Sequence, residues 1–226
     1  MIPRILRFLL WSIVTFIILS VLWVVTYRFV PVPGTPLMYI RNITEEIPIN
    51  HEWTPIEEIA PDMQLAVIAA EDSYFMQHSG FDWKQIEKAQ DDAKKGKKLR
   101  GASTISQQTA KNVFLWNGRS WIRKGLEAYF TMLIELFWSK ERIMEVYLNS
   151  IEMGEGLYGV AAVAKANFKK IPAKLTRKEC ALIAATLPNP RKLSSKKPTK
   201  YIRKRQAAII KNMKYIEKIK LHKENK

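Results

Sequence analysis

Three groupings in this 226-residue chain have side-chain types and spacings that can do chemistry. Glu71 closes the run Ala66-Val67-Ile68-Ala69-Ala70, which places its carboxylate at the negative end of an apolar helix. Burial and the helix dipole both disfavour the charged form there and raise its proton affinity toward that of a general base. Asp72 points about 100° away around the helix, so it is read as orienting the following loop through His78 or backbone amides. Further on, the small residues Gly101-Ala102-Ser103 lead into Thr104 and a polar helix. A small-residue loop lets the backbone approach a ligand, and free N–H groups at a helix start favour an anion. Thr104, Gln108 and Lys111 follow at intervals of four and three, lining one face with hydroxyl, amide and ammonium groups suited to a sugar pyrophosphate. In the third grouping Arg123 and Lys124 lie four and three residues ahead of Glu127, so two cations meet one carboxylate on an otherwise apolar helix. Arg and Lys are natural donors to phosphate oxygens. Glu71 and Glu127 would then bracket a glycosidic centre, as inverting sugar transfer requires.

On spacing alone each grouping also has an ordinary structural reading. Glu71-Asp72 is then a helix-end pair, Gly101 to Asn112 a capped helix with a polar outer face, and Arg123-Lys124-Glu127 a surface ion pair.

The elements that must position these groups read as helices, because apolar residues recur every three or four positions with no sustained alternation; almost no sheet is expected. Asp62 is read as the N-cap of a helix that passes through Leu65, Val67, Ile68 and Ala70 to Glu71. Thr104 and Gln107 have capping-box spacing. Ile122, Leu126, Tyr129, Leu133 and Phe137 form an apolar stripe between Trp121 and Trp138 that is assigned to the core. Ser139 caps the next helix, which carries Ile143, Val146 and Tyr147 on one face and ends near Asn149. Thr176 and Glu179 repeat the capping box, and Pro188 with Pro190 stops the helix they begin. A last amphipathic helix after Thr199 docks through Ile202, Ile209, Met213 and Ile216. Lys94-Lys95-Gly96-Lys97-Lys98 reads as a mobile basic loop.

Phe8 through Tyr27 carries no charged residue and is long enough to cross a ~30 Å hydrocarbon core. Arg4 and Arg7 precede it and only Arg28 follows closely, which favours a cytoplasmic N-terminus. The stretch exceeds the ~7–15 apolar residues of a signal peptide, and no small-x-small site follows, so it reads as an uncleaved anchor. The expected organisation is an anchor over 1–30, a Pro-rich stalk over 31–48, a catalytic domain over 49–192 and a basic helical extension over 193–226. Cys180 is the only cysteine, which excludes an intramolecular disulfide; it reads as a buried, inert thiol. Lys and Arg number 37 against 21 Asp and Glu, for a net charge of +16. After Arg191 only Glu217 and Glu224 oppose the basic residues, which implies an anionic partner: lipid headgroups and pyrophosphate rather than nucleic acid.

Four segments, in this order, resemble the signatures of the peptidoglycan glycosyltransferases: Glu71-Asp72-x-x-Phe75-x-x-His78-x-Gly80; Gly101-Ala102-Ser103-Thr104-Ile105-Ser106-Gln107-Gln108-x-x-Lys111-Asn112; Arg123-Lys124-x-x-Glu127; and Glu145-x-Tyr147-Leu148-Asn149. Gly156-x-Tyr158-Gly159-x-Ala161-Ala162 is similar to a fifth, so the likeness covers roughly 50–190. Asn167-Phe168 departs from it, since relatives commonly carry two aromatics there. The resemblance implies a mainly α, lysozyme-like bilobal domain behind a single transmembrane helix, anchored in the cytoplasmic (inner) membrane with its catalytic part outside. It implies polymerisation of lipid II into glycan, with Glu71 as base toward the acceptor hydroxyl. Glu127 with Lys111, Arg123 and Lys124 would assist departure of the polyprenyl pyrophosphate, and Ser103, Thr104, Gln108 and Asn112 would line the donor site. Asp72, Phe75, His78, Glu145, Asn149 and Tyr158 would support them. A divalent ion, Mg or Mn, is compatible with that chemistry, and no organic cofactor is implied. Expected partners are lipid II, the growing glycan, membrane lipids and other cell-wall synthesis or division proteins. Two alternatives stay open on the residues alone: a lytic, lysozyme-like hydrolase, and a non-enzymatic membrane-anchored binder of polyanions.

Overall fold

The computed structural model describes residues 4–96, 101, 103–118 and 120–224, and the side chains of these as far as residue 216. Among them the chain is mainly α. Helix α1 (Arg4–Phe29) runs for 26 residues, about 39 Å at ~1.5 Å per residue, with most of its apolar side chains exposed. Helix α2 (Pro36–Glu45) follows inside the stretch read as a stalk. Pro36 stands in its first turn, where a missing N–H costs nothing, and Thr35 caps it. The helices that carry the groups of interest are α3 (Pro61–Glu71), α4 (Trp83–Lys94), α5 (Ile105–Phe114), α6 (Trp121–Phe137) and α7 (Lys140–Ser150). Behind them come α8 (Gly159–Val163), α9 (Arg177–Thr186) and α10 (Lys200–Glu224). Strands β1 (Asn50–His51), β2 (Glu152–Gly154) and β3 (Leu157–Tyr158) form one small sheet in the order β1-β3-β2, with β1 parallel and β2 antiparallel to β3.

The predicted capping boxes at Thr104/Gln107 and Thr176/Glu179 are both formed, and Ser139 caps α7. Asp62 is not a cap. Helix α3 starts two residues earlier than that reading requires, at Pro61, because proline is preorganised for the first helical position; Asp62 lies in the first turn and pairs with Arg177 on α9 at 3.3 Å. Lys94 ends α4, while Lys97 and Lys98 of the expected basic loop lie outside the described residues.

Helices α3, α9 and α10 pack against one another, and α5 packs against both α6 and α7. Met63, Ala66 and Val67 are fully buried against the small-residue face of α9, where Cys180, Ala181, Ile183 and Ala184 are fully buried too. Small side chains let the two backbones approach closely. Ile202, Ile209 and Met213 dock α10 on this pair, each burial contributing about 1.5–3 kcal/mol before entropy is counted.

Helix α6 departs from expectation in the face it buries. Its deepest residues are Arg123, Glu127, Phe130, Thr131 and Ile134, whereas the assigned stripe is only partly buried at Leu126, Tyr129, Leu133 and Phe137 and is 76% exposed at Ile122. The ion cluster turns inward, and Tyr129 of the stripe meets Phe16 and Ser20 of α1.

The upper part of α1 belongs to the core. Val24 is fully buried, Trp23 meets Phe114 edge-on with ring centroids at 5.2 Å, and Ser20 Oγ and Tyr129 Oη share a hydrogen bond of 2.7 Å. The carbonyls at its end are also taken. Trp138 Nε1 donates to Val24 O at 2.8 Å, and Arg142 Nη2 donates to Tyr27 O at 2.8 Å and Val30 O at 2.6 Å. Tyr27 O is one of the last four carbonyls of the helix, which lack an intrahelical donor, while Val24 O and Val30 O flank it one turn before and just beyond the end.

Candidate active site

Asp72 is the knot of the first grouping. It ends α3, is 6% exposed, and its Oδ2 accepts from the backbone N–H of Ile105 at 3.0 Å while His78 Nε2 lies 3.0 Å from both oxygens. The carboxylate thus compensates the positive end of α5 and holds the loop that follows α3 against it. That loop closes through Gly80, whose φ of 87° and whose crowding against Thr131 Cγ2, 2.8 Å from where a Cβ would stand, both demand glycine. Thr104 Oγ1 donates to Gly80 O at 2.6 Å and accepts from the Gln107 N–H at 3.2 Å, so its hydroxyl is committed to the fold. Phe75 is buried beneath this loop with its ring edge toward His78 and Lys140 Nζ above it at 4.6 Å.

Glu71 is half-buried and opens onto a cleft of about 360 Å³ whose walls include Ser103, Thr104, Asp82, Gln85 and Asn212. Its Oε2 accepts from Gln108 Nε2 at 3.1 Å, and Gln108 Oε1 in turn accepts from Tyr147 Oη at 3.1 Å. Tyr147 is fully buried. Because a phenol donates to that amide oxygen, the amide nitrogen must face Glu71. Burial raises the proton affinity of Glu71; the Gln108 hydrogen bond and the charge of Arg205 act against this, and Asp72 reinforces it. A carboxyl whose proton affinity is raised in this way is better suited to accept a proton from a hydroxyl than an ordinary surface carboxylate.

The third grouping lies on α6, within electrostatic reach of Lys111, which stands about one turn past Gln108 on α5. Glu127 is 3% exposed and lies between Arg123 Nη1 at 2.9 Å and Lys124 Nζ at 2.5 Å. Lys111 is pushed toward losing its proton by burial, then by Arg123, with Glu127 opposing and Arg41 and Lys124 adding to the push. Arg123, Lys124 and Arg41 therefore build one positive field at Lys111, opposed by Glu127. Arg41, from α2, is paired with Glu152, and Tyr158 is buried beside that pair. The Nε–H groups of Arg41 and Arg123 are buried without a hydrogen-bond acceptor, leaving donor capacity that an anionic ligand would satisfy.

The remaining assignments divide plainly. Ser103 is exposed on the wall of the Glu71 cleft, while Asn112 folds its amide back onto Gln108 O at 2.8 Å. Glu145 Oε1 accepts from the Ile56 N–H at 3.2 Å, and Asn149 is fully buried, accepting from the Thr54 N–H at 2.8 Å and donating to Thr54 O at 2.9 Å. Both clasp the segment ahead of α3 and reach no cleft described above. Asn167, the departure noted in the sequence, donates to Ser195 Oγ at 2.8 Å.

A family model described as Transglycosylase matches residues 39–214. The chain belongs to the transglycosylase family. Among relatives of this transglycosylase sequence, the biosynthetic peptidoglycan transglycosylase of Bacteroides thetaiotaomicron is 54% identical over 222 residues, covering 96% of this chain and 90% of the relative. Those of Bdellovibrio bacteriovorus and Caulobacter vibrioides are 52% and 51% identical, covering 88% and 91% of this chain and 82% and 90% of their own lengths. The family match begins ahead of α3 and so takes in Arg41, which sequence reasoning missed because it stands in a stretch read as stalk. Tyr147 stands both on the apolar face read for α7 and in the fourth signature, but no spacing shows that its phenol reaches Gln108, a contact only the fold makes.

Proposed function

We propose that this chain polymerises lipid-linked disaccharide into peptidoglycan glycan, with inversion at the donor sugar. The observation that carries the reading is that one helix, α5, holds Gln108 against a proton-accepting Glu71 and Lys111 against the cationic nest of Arg123, Lys124 and Glu127. Glu71 takes the proton of the acceptor sugar hydroxyl as its oxygen bonds to the anomeric carbon of the growing chain. The bond from that carbon to the pyrophosphate oxygen breaks, and the pyrophosphate leaves with the electron pair. Lys111, Arg123 and Lys124 receive the charge that develops there, while Glu127 holds the two cations in place.

The protein's own donor set does not fit a metal cage. Both Glu127 oxygens are engaged by cations, and the described residues hold no group of three metal-ligating His, Cys, Asp or Glu side chains. A divalent ion would enter on the substrate's pyrophosphate, as Mg²⁺ usually does, and no step here is routed through it. Helix α1 would anchor the chain in the inner membrane as a single pass with the catalytic part outside, where lipid substrate and other wall-synthesis proteins are met. Protease added to intact spheroplasts would then digest the domain; protection until lysis reverses the topology.

The deciding experiment is Glu71→Gln with purified lipid-linked disaccharide. Polymerisation is lost with the fold retained, and neither parent nor variant shortens pre-formed glycan. Release of muropeptides from purified cell wall by the parent would replace polymerisation with lysis.

A further inference from the structure

Beside the Glu71 cleft lies a second hollow of about 640 Å³ that the chemistry above does not use. The two share Tyr74, Asp82, Gln85 and Lys88 in their walls, so they lie side by side. Its floor is aromatic. Trp83 is 70% exposed and Tyr74 49% exposed, and Phe81 stacks on Trp83 with ring centroids at 5.6 Å and planes 29° apart. Its rim is polar, carrying Gln77, Gln85 and Lys88 with their side chains exposed.

The platform is held in place from below. Asp82 is 8% exposed and caps α4 by accepting from the Gln85 N–H at 3.0 Å, which fixes Trp83 at the first position of the helix. An indole in that position gains nothing from the core, since α4 buries none of its own residues. Nor does the surrounding face suit a bilayer, because Lys84, Glu87, Lys88, Asp91 and Lys94 run along the same helix. An exposed aromatic patch rimmed by amides matches a ligand with one apolar face and a hydrogen-bonding edge. A pyranose ring has that form: axial C–H groups on its face, hydroxyl and acetamido groups around its edge.

We propose that Trp83 and Tyr74 form a saccharide subsite that takes a sugar ring next in line to the one reacting at Glu71. The proposal rests on the polymerase reading, because that reading puts a β-linked glycan in the adjoining cleft. The ring would lie on the Trp83 indole, with Gln85 and Lys88 reaching its substituents from the wall common to both hollows.

The test is titration of the full chain in detergent micelles with a peptide-free β-1,4-linked N-acetylglucosamine tetrasaccharide, followed by calorimetry. Trp83→Ala is expected to weaken binding roughly tenfold, and Trp83→Tyr to restore most of it. As the indole is exposed, neither change disturbs the core. Equal affinity of parent and Trp83→Ala, binding only of a peptide-bearing fragment, or Trp83-dependent binding to phospholipid vesicles in place of the sugar would each overturn the subsite. Parent enzyme that polymerises lipid-linked disaccharide yet ignores the tetrasaccharide overturns the subsite alone. Parent enzyme that does not polymerise at all overturns the reading beneath it.

Discussion

Replacing Tyr147 by Phe removes one buried oxygen and is expected to slow the enzyme on the acidic side of its pH profile only. The phenol donates to Gln108 Oε1 at 3.1 Å, and that bond is what keeps Gln108 Nε2 aimed at Glu71. Without it the amide is free to rotate and Glu71 loses a donor to its charged form. A hydrogen bond to a charged group is worth about 1.5–3 kcal/mol, and ~1.4 kcal/mol is a factor of ten in an equilibrium, so full loss lowers the deprotonated fraction roughly ten- to hundredfold at low pH. The sign follows from the direction of the interaction. Gln108 lowers the proton affinity of Glu71, so its removal raises that affinity and moves the acidic limb to higher pH, while the rate where Glu71 is fully ionised stays near the parent's. The assay is polymerisation of lipid-linked disaccharide from mildly acidic to alkaline pH, with Gln108→Leu as the direct comparison. The fold is expected to lose only about 0.5–1.5 kcal/mol, the net value of one neutral hydrogen bond. A uniform loss of rate at all pH values, or an acidic limb displaced downward, refutes the positioning role.

Three further outcomes follow from the same geometry. Burial raises Glu71's proton affinity above its unfolded value, so its contribution to stability is present at low pH and is lost as pH rises; Glu71→Gln is expected to melt higher than the parent at neutral pH and equally in acid, and the reverse order by calorimetry removes the argument. Lys111→Met deletes one cation from the pyrophosphate nest and is expected to weaken binding of the lipid-linked donor roughly 10–100-fold, on the scale of one charge-assisted contact; unchanged affinity places the donor elsewhere. Burial pushes the Cys180 thiol up to about 12, so maleimide at pH 8 is expected to label it only after unfolding, and rapid labelling of the native protein contradicts the packing of α9 against α3.

Local signals in the sequence were readable where a few neighbouring residues decide the outcome. Thr104 with Gln107, Thr176 with Glu179 and Ser139 all start helices where their spacing says, because a cap is settled within one turn. Asp72 could be assigned to His78 and to backbone amides for the same reason. Asp62 shows the limit of such signals: two residues competed for one helix start, and Pro61 won. What the sequence hid depends on distance along the chain. The stripe on α6 reports an apolar face without saying what covers it, and the buried face is instead the one whose charges satisfy each other. Arg41 acts on Lys111 from a helix well ahead of α3 in the chain, and the Tyr147 phenol is hydrogen-bonded to Gln108, which in turn donates to Glu71. No period or spacing encodes contacts of that kind.

The clasp of Trp138 and Arg142 on carbonyls at and around the end of α1 makes the anchor a mast rather than a leash. A tethered domain would tumble above the bilayer and sample its substrate at every height and angle. If α1 crosses the membrane as proposed, these bonds tie it to the helices that carry Glu71 and Glu127. The tilt of the mast therefore sets the altitude and heading of the cleft, leaving rotation about the membrane normal as its main freedom. A substrate confined to the same sheet of lipid then searches for the site in two dimensions, and arrives already at the right level.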